Sequence, residues 1–364
     1  MLISDRLLNI KPSGVRRIFD MAQQMKDPIN LSIGEPDFDI PEPLKGEGIE
    51  WIRRGFNKYT PTQGIPELRE KIASHLKKKG VHFEEVMVTA GVTGGLLLAS
   101  LALINPGDEV IIPDPFFVMF EYQVLLMGGI PVFVDTYPDF RLREEELLRK
   151  LSKKTKMIII NSPNNPTGTI YPKDDLLMVA RIARERDLLV LSDDIYDRFV
   201  FDDPSCPSMG QFYQKTLTCG GFSKSWGMTG WRLGYAAGPR EILQQMITLQ
   251  QYTFSSVNSF AQKAAIKALD FNVDDSIERY KKKRDLIYEG LKEKYRVQKP
   301  LGAFYIFPEV PGGDGEAFVE RAIQKNLFII PGSVFSKRNT HVRISFAASE
   351  QTLLKGIEVL NRMI

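Results

Sequence analysis

Short apolar runs recur through the middle of the chain, and stretches of helical length separate several of them. The seven runs are Val86–Thr89, Glu109–Ile112, Pro131–Val134, Met157–Ile160, Leu188–Leu191, Thr216–Cys219 and Leu233–Ala237. The intervening stretches include Leu96–Ile104, Phe120–Met127, Leu142–Leu151 and Asp174–Arg186. Alternation of this kind is typical of α/β proteins, so we predict a mainly parallel sheet flanked by helices on both faces.

The pattern changes after about residue 255. Helices are predicted at Gln262–Leu269 and Ser276–Tyr295, and strand-like pieces at Phe304–Phe307, Leu327–Ile330 and Val342–Ser345 surround a helical run at Glu316–Lys325. This mixture predicts a second, smaller α+β domain. We therefore expect a large domain over residues 41–270, a small domain over 271–364, and an N-terminal arm over 1–40 that joins the small domain.

Polar segments directly follow three of the apolar runs. Residues 161–168 read Asn-Ser-Pro-Asn-Asn-Pro-Thr-Gly, Asp193 and Asp194 follow the fifth run, and residues 220–224 read Gly-Gly-Phe-Ser-Lys. Sheets of this class bind ligands at the carboxyl ends of their strands. These three segments are therefore where we expect the chemistry.

The composition is that of an ordinary globular protein. Of 364 residues, 43% are hydrophobic and 26% are charged, which argues against a disordered chain, a collagen-like fibre or a disulfide scaffold. The 48 basic and 45 acidic side chains leave a net charge of +3, too small to indicate nucleic-acid binding. Cys206 and Cys219 are too few for a cysteine metal cluster, and they fit a reducing cytoplasm.

One uncharged segment, Val86–Gly107, is long enough to span a membrane. Gly91, Gly94 and Gly95 interrupt it, and the apolar stretch that remains is short, so we predict a buried helix there. The N-terminus contains Asp5 and Arg6 and has no long apolar run, so no secretory signal is expected. We expect a cytoplasmic protein with neither a membrane nor a nucleic-acid partner.

The most informative string is residues 223–232, which read Ser-Lys-Ser-Trp-Gly-Met-Thr-Gly-Trp-Arg. A lysine that forms an imine must be neutral, and burial or a neighbouring cation lowers its pKa toward that state. The planar fork of Arg232 suits a phosphate. A lone lysine or arginine in a sequence is more often a surface lysine or an ion-paired arginine. The whole string instead favours a lysine that forms an imine and an arginine that binds phosphate.

This string resembles the class I/II aminotransferases, pyridoxal-phosphate enzymes of fold type I. The resemblance extends from about Leu31 to Ala347, with motifs in the family's order and at similar spacing. It implies a large domain with a mainly parallel seven-stranded sheet and pyridoxal 5'-phosphate as the cofactor. It makes Lys224 the Schiff-base lysine and Arg232 a phosphate-binding arginine.

The resemblance also assigns roles to other positions. Gly91, Val92 and Thr93 form the turn that holds the cofactor phosphate, where a helix N-terminus suits an anion. Phe117 stacks on the pyridine ring, Asp193 pairs with its nitrogen, and Asn165 and Tyr196 hydrogen-bond its ring oxygen. Gly34, Asn165 and Arg343 bind the substrate α-carboxylate. Tyr59 reaches the phosphate of a partner subunit, which implies a homodimer.

Two positions depart from the family pattern. Gly221 stands where part of the family has a phosphate-binding serine, and we expect Ser223 to share that role. Thr93 stands where one aspartate-specific subgroup has a lysine for the distal carboxylate. Aspartate specificity by that route is therefore in doubt.

The expected activity is transfer of an amino group from an L-amino acid, either aspartate or an aromatic or apolar one, to a 2-oxo acid. We expect 2-oxoglutarate as the acceptor, ping-pong kinetics, and Lys224, Asp193 and Tyr196 as the catalytic residues. Another pyridoxal-phosphate reaction, such as that of a β-lyase or a decarboxylase, remains an alternative, because the cofactor motifs do not separate these reactions. A non-catalytic binding protein of the same fold is a third possibility.

Other classes of site have less support. Asp193, Asp194 and Asp197 spell the Asp-Asp-x-x-Asp string of prenyl-diphosphate synthases, but those enzymes are all-helical and the string follows a strand here. Neither a Gly-x-Gly-x-x-Gly nor a Gly-Lys-[Ser/Thr] motif occurs. The three histidines have no metal-binding spacing, and His75 is expected on a solvated basic helix over Lys71–Lys79.

Overall fold

A computed structural model of the protein describes residues 3–203 and 206–364. A short strand β1 (Ile29–Asn30) precedes a central sheet of seven strands. These strands are β2 (Glu85–Thr89), β3 (Glu109–Asp114), β4 (Ile130–Asp135), β5 (Thr155–Asn161), β6 (Leu189–Asp193), β7 (Thr216–Gly221) and β8 (Gly234–Gly238). Their order is β2-β8-β7-β6-β5-β3-β4. Strand β8 is antiparallel to both neighbours and the other adjacent pairs are parallel, which confirms the predicted sheet.

Helices cover both faces of this sheet and build the remainder of the chain. They are α1 (Gly14–Gln23), α2 (Glu42–Arg53), α3 (Pro66–Lys78), α4 (Gly91–Leu103), α5 (Val118–Leu126), α6 (Glu144–Lys150), α7 (Lys173–Glu185), α8 (Arg240–Thr253), α9 (Ser259–Ala268), α10 (Asp274–Leu291), α11 (Gly315–Gln324) and α12 (Glu350–Arg362). Short 3-10 helices lie at Asp5–Leu7, Met209–Gln211, Thr229–Trp231 and Gly332–Val334. The later strands are β9 (Tyr305–Ile306), β10 (Leu327–Phe328), β11 (Ile330–Pro331) and β12 (Val342–Ser345).

The uncharged segment of the sequence forms β2, a tight turn and α4. Helix α4 is buried against the sheet through Leu96, Leu98 and Ala99. Gly95 favours this close approach, because a Cβ atom there would lie 3.3 Å from Oγ1 of Thr89. Within residues 3–203 and 206–364, no helix combines the length and apolar character needed to cross a membrane.

The two ends of the chain meet at two small sheets that are separate from the central one. Strand β1 pairs in parallel with β10, with Ile29 opposite Leu327. The backbone N–H of Ser345 donates to the carbonyl of Leu31 at 2.8 Å. Strand β12 lies between β11 and β9 and is antiparallel to both. Residues 29–31 therefore pack with the C-terminal third of the chain, while the domain boundaries at 40 and 270 remain a prediction.

Some local expectations differ from the structure. Helix α4 begins at Gly91, earlier than the predicted Leu96, because the glycines form its first turns instead of interrupting it. The apolar run Leu327–Ile330 is divided between β10 and β11. The expectation of a solvated helix face at His75 is wrong. Its side chain is 18% exposed and lies 4.0 Å from Asp197, which also pairs with Lys79.

Candidate active site

A cavity of about 430 Å³ opens at the carboxyl ends of β5, β6 and β7. Most of the site residues predicted from the sequence line it: Gly34, Val92, Thr93, Phe117, Asn165, Asp193, Tyr196, Ser223, Lys224, Arg232 and Arg343. They come from positions spread over most of the chain. The fold therefore brings together the segments that the sequence pattern singled out separately.

Lys224 lies in the turn after β7, with its amine inside the cavity. Its Nζ atom donates a hydrogen bond of 2.6 Å to the carbonyl of Gly34. Burial lowers the pKa of the Lys224 amine to about 8; Glu35 opposes this shift, and Arg343 and Arg232 add to it. A large fraction of the amine is therefore neutral near pH 8, as imine formation requires.

Asp193 ends β6 at the floor of the cavity and is 3% exposed. Burial raises the pKa of its carboxyl to about 7, against the effect of a hydrogen bond from the backbone N–H of Ile195. Asn161, at the end of β5, fixes the segment by donating to the carbonyl of Asp193 at 3.0 Å. A cationic partner would stabilise the ionised form of this buried carboxyl group, and a protonated pyridine nitrogen is such a partner.

Arg343 also lines the cavity and is 1% exposed. Its guanidinium donates to Oδ1 of Asn165 at 3.1 Å and to the carbonyl of Ser32 at 2.8 Å. The rings of Tyr305 and Phe335 lie 4.5 and 4.6 Å from Cζ of Arg343. Its Nε atom is buried and has no hydrogen-bond partner among the described residues. A cation held this firmly with a free donor suits a carboxylate ligand.

Tyr196 and Tyr305 form a pair between Arg343 and Lys224. Their phenol oxygens are 3.0 Å apart. Burial raises the pKa of both phenols, so both are neutral near pH 7 and keep their O–H groups as donors.

The turn from β2 into α4 forms the anion-binding end of the cavity. Gly91 has a φ of +69°, and a Cβ atom there would lie 2.7 Å from Nη2 of Arg232. The first turn of α4 contributes the backbone N–H groups of Val92 and Thr93 to a site with a favourable helix dipole. Nη1 of Arg232 donates to the carbonyl of Thr229 at 2.9 Å. Gly91 itself is behind the cavity wall, against Arg232.

Phe117 lies between β3 and α5 with its ring partly exposed in the cavity. The edge of the Phe120 ring packs against it, with a centroid distance of 5.8 Å. This contact fixes the plane of the Phe117 ring, as a stacking surface requires.

Tyr59 does not line this cavity. It is 89% exposed and lies beside a separate surface depression with Lys58 and Asn258. The structure therefore places Tyr59 apart from the site of its own chain.

Several cavity residues were not predicted from the sequence. Tyr305 and the carbonyl of Ser32 hold Arg343, Glu35 influences Lys224, and Ser13, Val15, Arg16 and Phe19 of the N-terminal region line the mouth. In the sequence, Tyr305 belongs to a strand-like run, Phe304–Phe307, and no motif marks it as a site residue. The sequence near α1 carries a serine cap at Ser13 but nothing that points to a ligand.

Two of the three carboxylates of the Asp-Asp-x-x-Asp string accept hydrogen bonds from other side chains of the protein. Asp194 accepts hydrogen bonds from Ser192 and Ser208, each at 2.6 Å. Asp197 accepts from Nζ of Lys79 at 2.6 Å. These contacts leave Asp193 as the member of the string that lines the cavity.

The residues present fit pyridoxal 5'-phosphate, the cofactor that the resemblance implies. The positive-φ turn at Gly91 with Arg232 suits its phosphate, and the buried Asp193 suits its ring nitrogen. The partly neutral Lys224 suits its aldehyde. A cavity of this volume is of the size that holds a small ligand of this kind.

Comparisons with known proteins agree with this geometry. Residues 26–360 match the family described as aminotransferase class I and II. The aspartate aminotransferase of Pyrococcus abyssi is 40% identical, with 100% of this chain and 98% of that protein covered. Aromatic-amino-acid aminotransferase 2 of Thermococcus litoralis is 38% identical at the same coverage. The structure of Thermus thermophilus aspartate aminotransferase with maleate superposes with a TM-score of 0.96, at 34% identity over 100% of both chains. The chain therefore belongs to the class I and II aminotransferases, fold type I enzymes that transfer amino groups between amino acids and oxo acids with pyridoxal 5'-phosphate.

Proposed function

We propose that this aminotransferase takes the amino group of an aromatic or apolar L-amino acid and passes it to 2-oxoglutarate by a ping-pong mechanism. The observation that carries the choice of donor is the wall of the cavity. Its apolar lining consists of Val15, Phe19, Ile33, Leu96, Phe117, Val118 and Met119. Thr93, which also lines it, is uncharged and stands where one aspartate-specific subgroup has a lysine. An apolar wall favours an apolar side chain, because burial of apolar surface drives binding.

The positions of the lining residues support the following cofactor-binding roles. Val92, Thr93, Ser223 and Arg232 hold the phosphate, Gly91 forms the turn that presents Val92 and Thr93 to it, and Phe117 covers one face of the ring. Asp193 binds the ring nitrogen, and Tyr196 and Asn165 donate to the ring oxygen. Since Oδ1 of Asn165 accepts from Arg343, its amide N–H₂ group is left for that contact.

Substrate binding depends on Arg343 and Gly34. The α-carboxylate binds the guanidinium of Arg343, whose orientation Asn165 and the carbonyl of Ser32 fix in advance. Gly34 borders the same space, and a Cβ atom there would lie 3.3 Å from the Tyr305 hydroxyl. In this arrangement the substrate α-carbon lies beside Lys224, a role supported by the hydrogen bond from the Lys224 amine to the Gly34 carbonyl.

When bound, the cofactor supplies an electron sink that stabilises negative charge at the substrate α-carbon. Lys224 acts as the general base at that carbon, and its neutral amine takes the α-proton. The resulting ammonium then serves as the acid in the next proton transfer. Asp193 stays ionised beside its cationic partner, and Tyr196, held by Tyr305, keeps its hydroxyl directed into the site.

The decisive experiment follows single half-reactions of the purified holoenzyme. Phenylalanine or tyrosine should abolish the visible absorption band of the bound cofactor and release the matching 2-oxo acid, and 2-oxoglutarate should restore the band. Lys224→Ala should show neither change. Release of carbon dioxide, or of ammonia with an unsaturated product, in place of a 2-oxo acid would instead identify a decarboxylase or a β-lyase.

A homodimer is part of this proposal, with Tyr59 of each chain reaching the phosphate site of its partner. The exposure of Tyr59 and its position outside its own cavity support this arrangement. Mixing inactive Lys224→Ala with impaired Tyr59→Phe chains tests it, because mixed dimers contain one site with both native residues. Activity above that of either variant alone is expected. A cytoplasmic location completes the proposal and is supported by the free thiols Cys206 and Cys219.

A further inference from the structure

Among the described residues that line the cavity, one cationic side chain has no role in the chemistry described above. Its described lining includes Lys224, Arg232, Arg343 and Arg16. The first three serve the cofactor and the α-carboxylate. Arg16 belongs to α1, at the mouth, and it is the guanidinium left over for another part of the substrate.

Helix α1 is anchored so that one of its faces borders the cavity. Ile18 is 2% exposed and Ala22 is fully buried, so the opposite face is packed against the protein. The hydroxyl of Ser13 caps the helix by accepting from the N–H of Arg16 at 3.4 Å. Arg16 and Phe19, three residues apart, share the face that lines the mouth.

Among the residues that the structure describes, the guanidinium of Arg16 contacts Asp20 and Phe19 of its own helix. Its Nε atom lies 3.0 Å from Oδ1 of Asp20, and the two side chains are 71% and 49% exposed. Its Cζ atom lies 5.1 Å from the centre of the Phe19 ring. Exposed ion pairs of this kind are weak, so another carboxylate can replace Asp20 at little cost.

We propose that α1 determines which substrate side chains bind, through direct contacts of Arg16 and Phe19 with that side chain. Arg16 leaves Asp20 and binds the distal carboxylate of a dicarboxylic substrate, and Phe19 packs against the ring of an aromatic one. A single cavity then accepts 2-oxoglutarate or glutamate in one half-reaction and an aromatic amino acid in the other. This inference rests on the proposed function, since it names how that site takes both substrate classes.

The test compares half-reactions with glutamate and with phenylalanine in four purified holoenzymes. These are the native protein, Arg16→Met, Asp20→Asn and the control Arg17→Met, which removes an exposed arginine of the same helix outside the cavity lining. The quantity measured is the ratio of kcat/KM for glutamate to kcat/KM for phenylalanine. Thermal unfolding of each variant shows that it is folded.

We expect Arg16→Met to lower this ratio by about tenfold or more, the effect of losing a charge-assisted hydrogen bond. Asp20→Asn should raise the ratio by about two- to threefold, because a competing carboxylate is removed. Arg17→Met should leave it unchanged. An unchanged ratio in Arg16→Met, equal losses for both substrates, or a fall in Asp20→Asn would each overturn the inference. A native enzyme that reacts with neither amino acid would instead refute the proposed function itself.

Discussion

The hydroxyl of Tyr305 lies 3.0 Å from the hydroxyl of Tyr196, so the tyrosine expected at the cofactor ring is itself oriented by a second tyrosine. Tyr305 also supplies the ring that packs against Arg343. One buried side chain thus supports both the cofactor side and the carboxylate side of the cavity.

Removing only the hydroxyl of Tyr305 distinguishes its hydrogen bond to Tyr196 from the packing of its ring against Arg343. Tyr305→Phe keeps the ring under Arg343 and loses the hydrogen bond to Tyr196. We expect kcat to fall by about two- to tenfold, with little change in KM, as for the loss of one neutral hydrogen bond. The pH at which the visible cofactor band changes should also shift. Tyr305→Leu should raise KM as well, and an unchanged band in Tyr305→Phe would contradict a link between the two phenols.

The pKa of Lys224 predicts how cofactor uptake depends on pH. Because this pKa is lowered to about 8, the reactive neutral amine increases as pH rises and levels off above that value. The rate at which the cofactor-free protein gains its visible band should rise about tenfold per pH unit below pH 8.

A variant of Glu35 provides the control for this profile. Glu35 acts to raise the pKa of Lys224, so Glu35→Gln should move the profile to lower pH. A rate that does not vary between about pH 6 and 9 would contradict the assignment of Lys224.

Asp193 should destabilise the cofactor-free protein at neutral and alkaline pH. Its folded-state pKa is raised to about 7, so its contribution to stability is fully present below its unfolded pKa and is lost as pH rises through about 7. Asp193→Asn should therefore be more stable than the native chain at pH 8, by up to about 4 kcal/mol, and not at pH 4. Urea unfolding of both cofactor-free proteins measures this, and an equal difference at both pH values would refute it.

Replacement of Arg343 should affect every amino acid alike. Arg343→Lys loses the planar fork and leaves Asn165 and the Ser32 carbonyl without their partner. We expect kcat/KM to fall by about a hundredfold for alanine, glutamate and phenylalanine together. Steady-state kinetics with the three donors measure it, and a loss confined to one donor would argue against α-carboxylate binding.

The largely buried ion pair of Lys79 and Asp197, whose side chains are 23% and 13% exposed, predicts a loss of stability on replacement of the lysine. Lys79→Met removes this partner, and among the described residues the more distant His75 is then the cation beside the carboxylate of Asp197. We expect the free energy of unfolding to fall by about 3 kcal/mol. The double variant Lys79→Met/Asp197→Asn should recover part of this loss, and no recovery would show that the two side chains act independently.

The sequence predicts the central sheet and most of the residues that line the cavity, because the patterns that indicate them lie within short stretches of the chain. The alternating runs predict seven strands; Asp193 ends one of them, and Lys224 and Asn165 lie three and four residues beyond the ends of two others. Tyr305 and Arg16 could not be recognised in this way. Tyr305 gains its contacts because β9 pairs with β12, which carries Arg343. Arg16 reaches the cavity through packing between opposite ends of the chain, which no local pattern records.

That packing has a consequence for how new specificities could arise. Helix α1 leads into β1, which pairs with β10, and the carbonyl of Ser32 holds Arg343. The first thirty or so residues therefore form one N-terminal cassette, fixed to the C-terminal strands by backbone hydrogen bonds and by the buried side chains of Ile18 and Ala22. Exchanging this cassette between relatives offers a route to a new side-chain preference that leaves the residues around Lys224 unchanged.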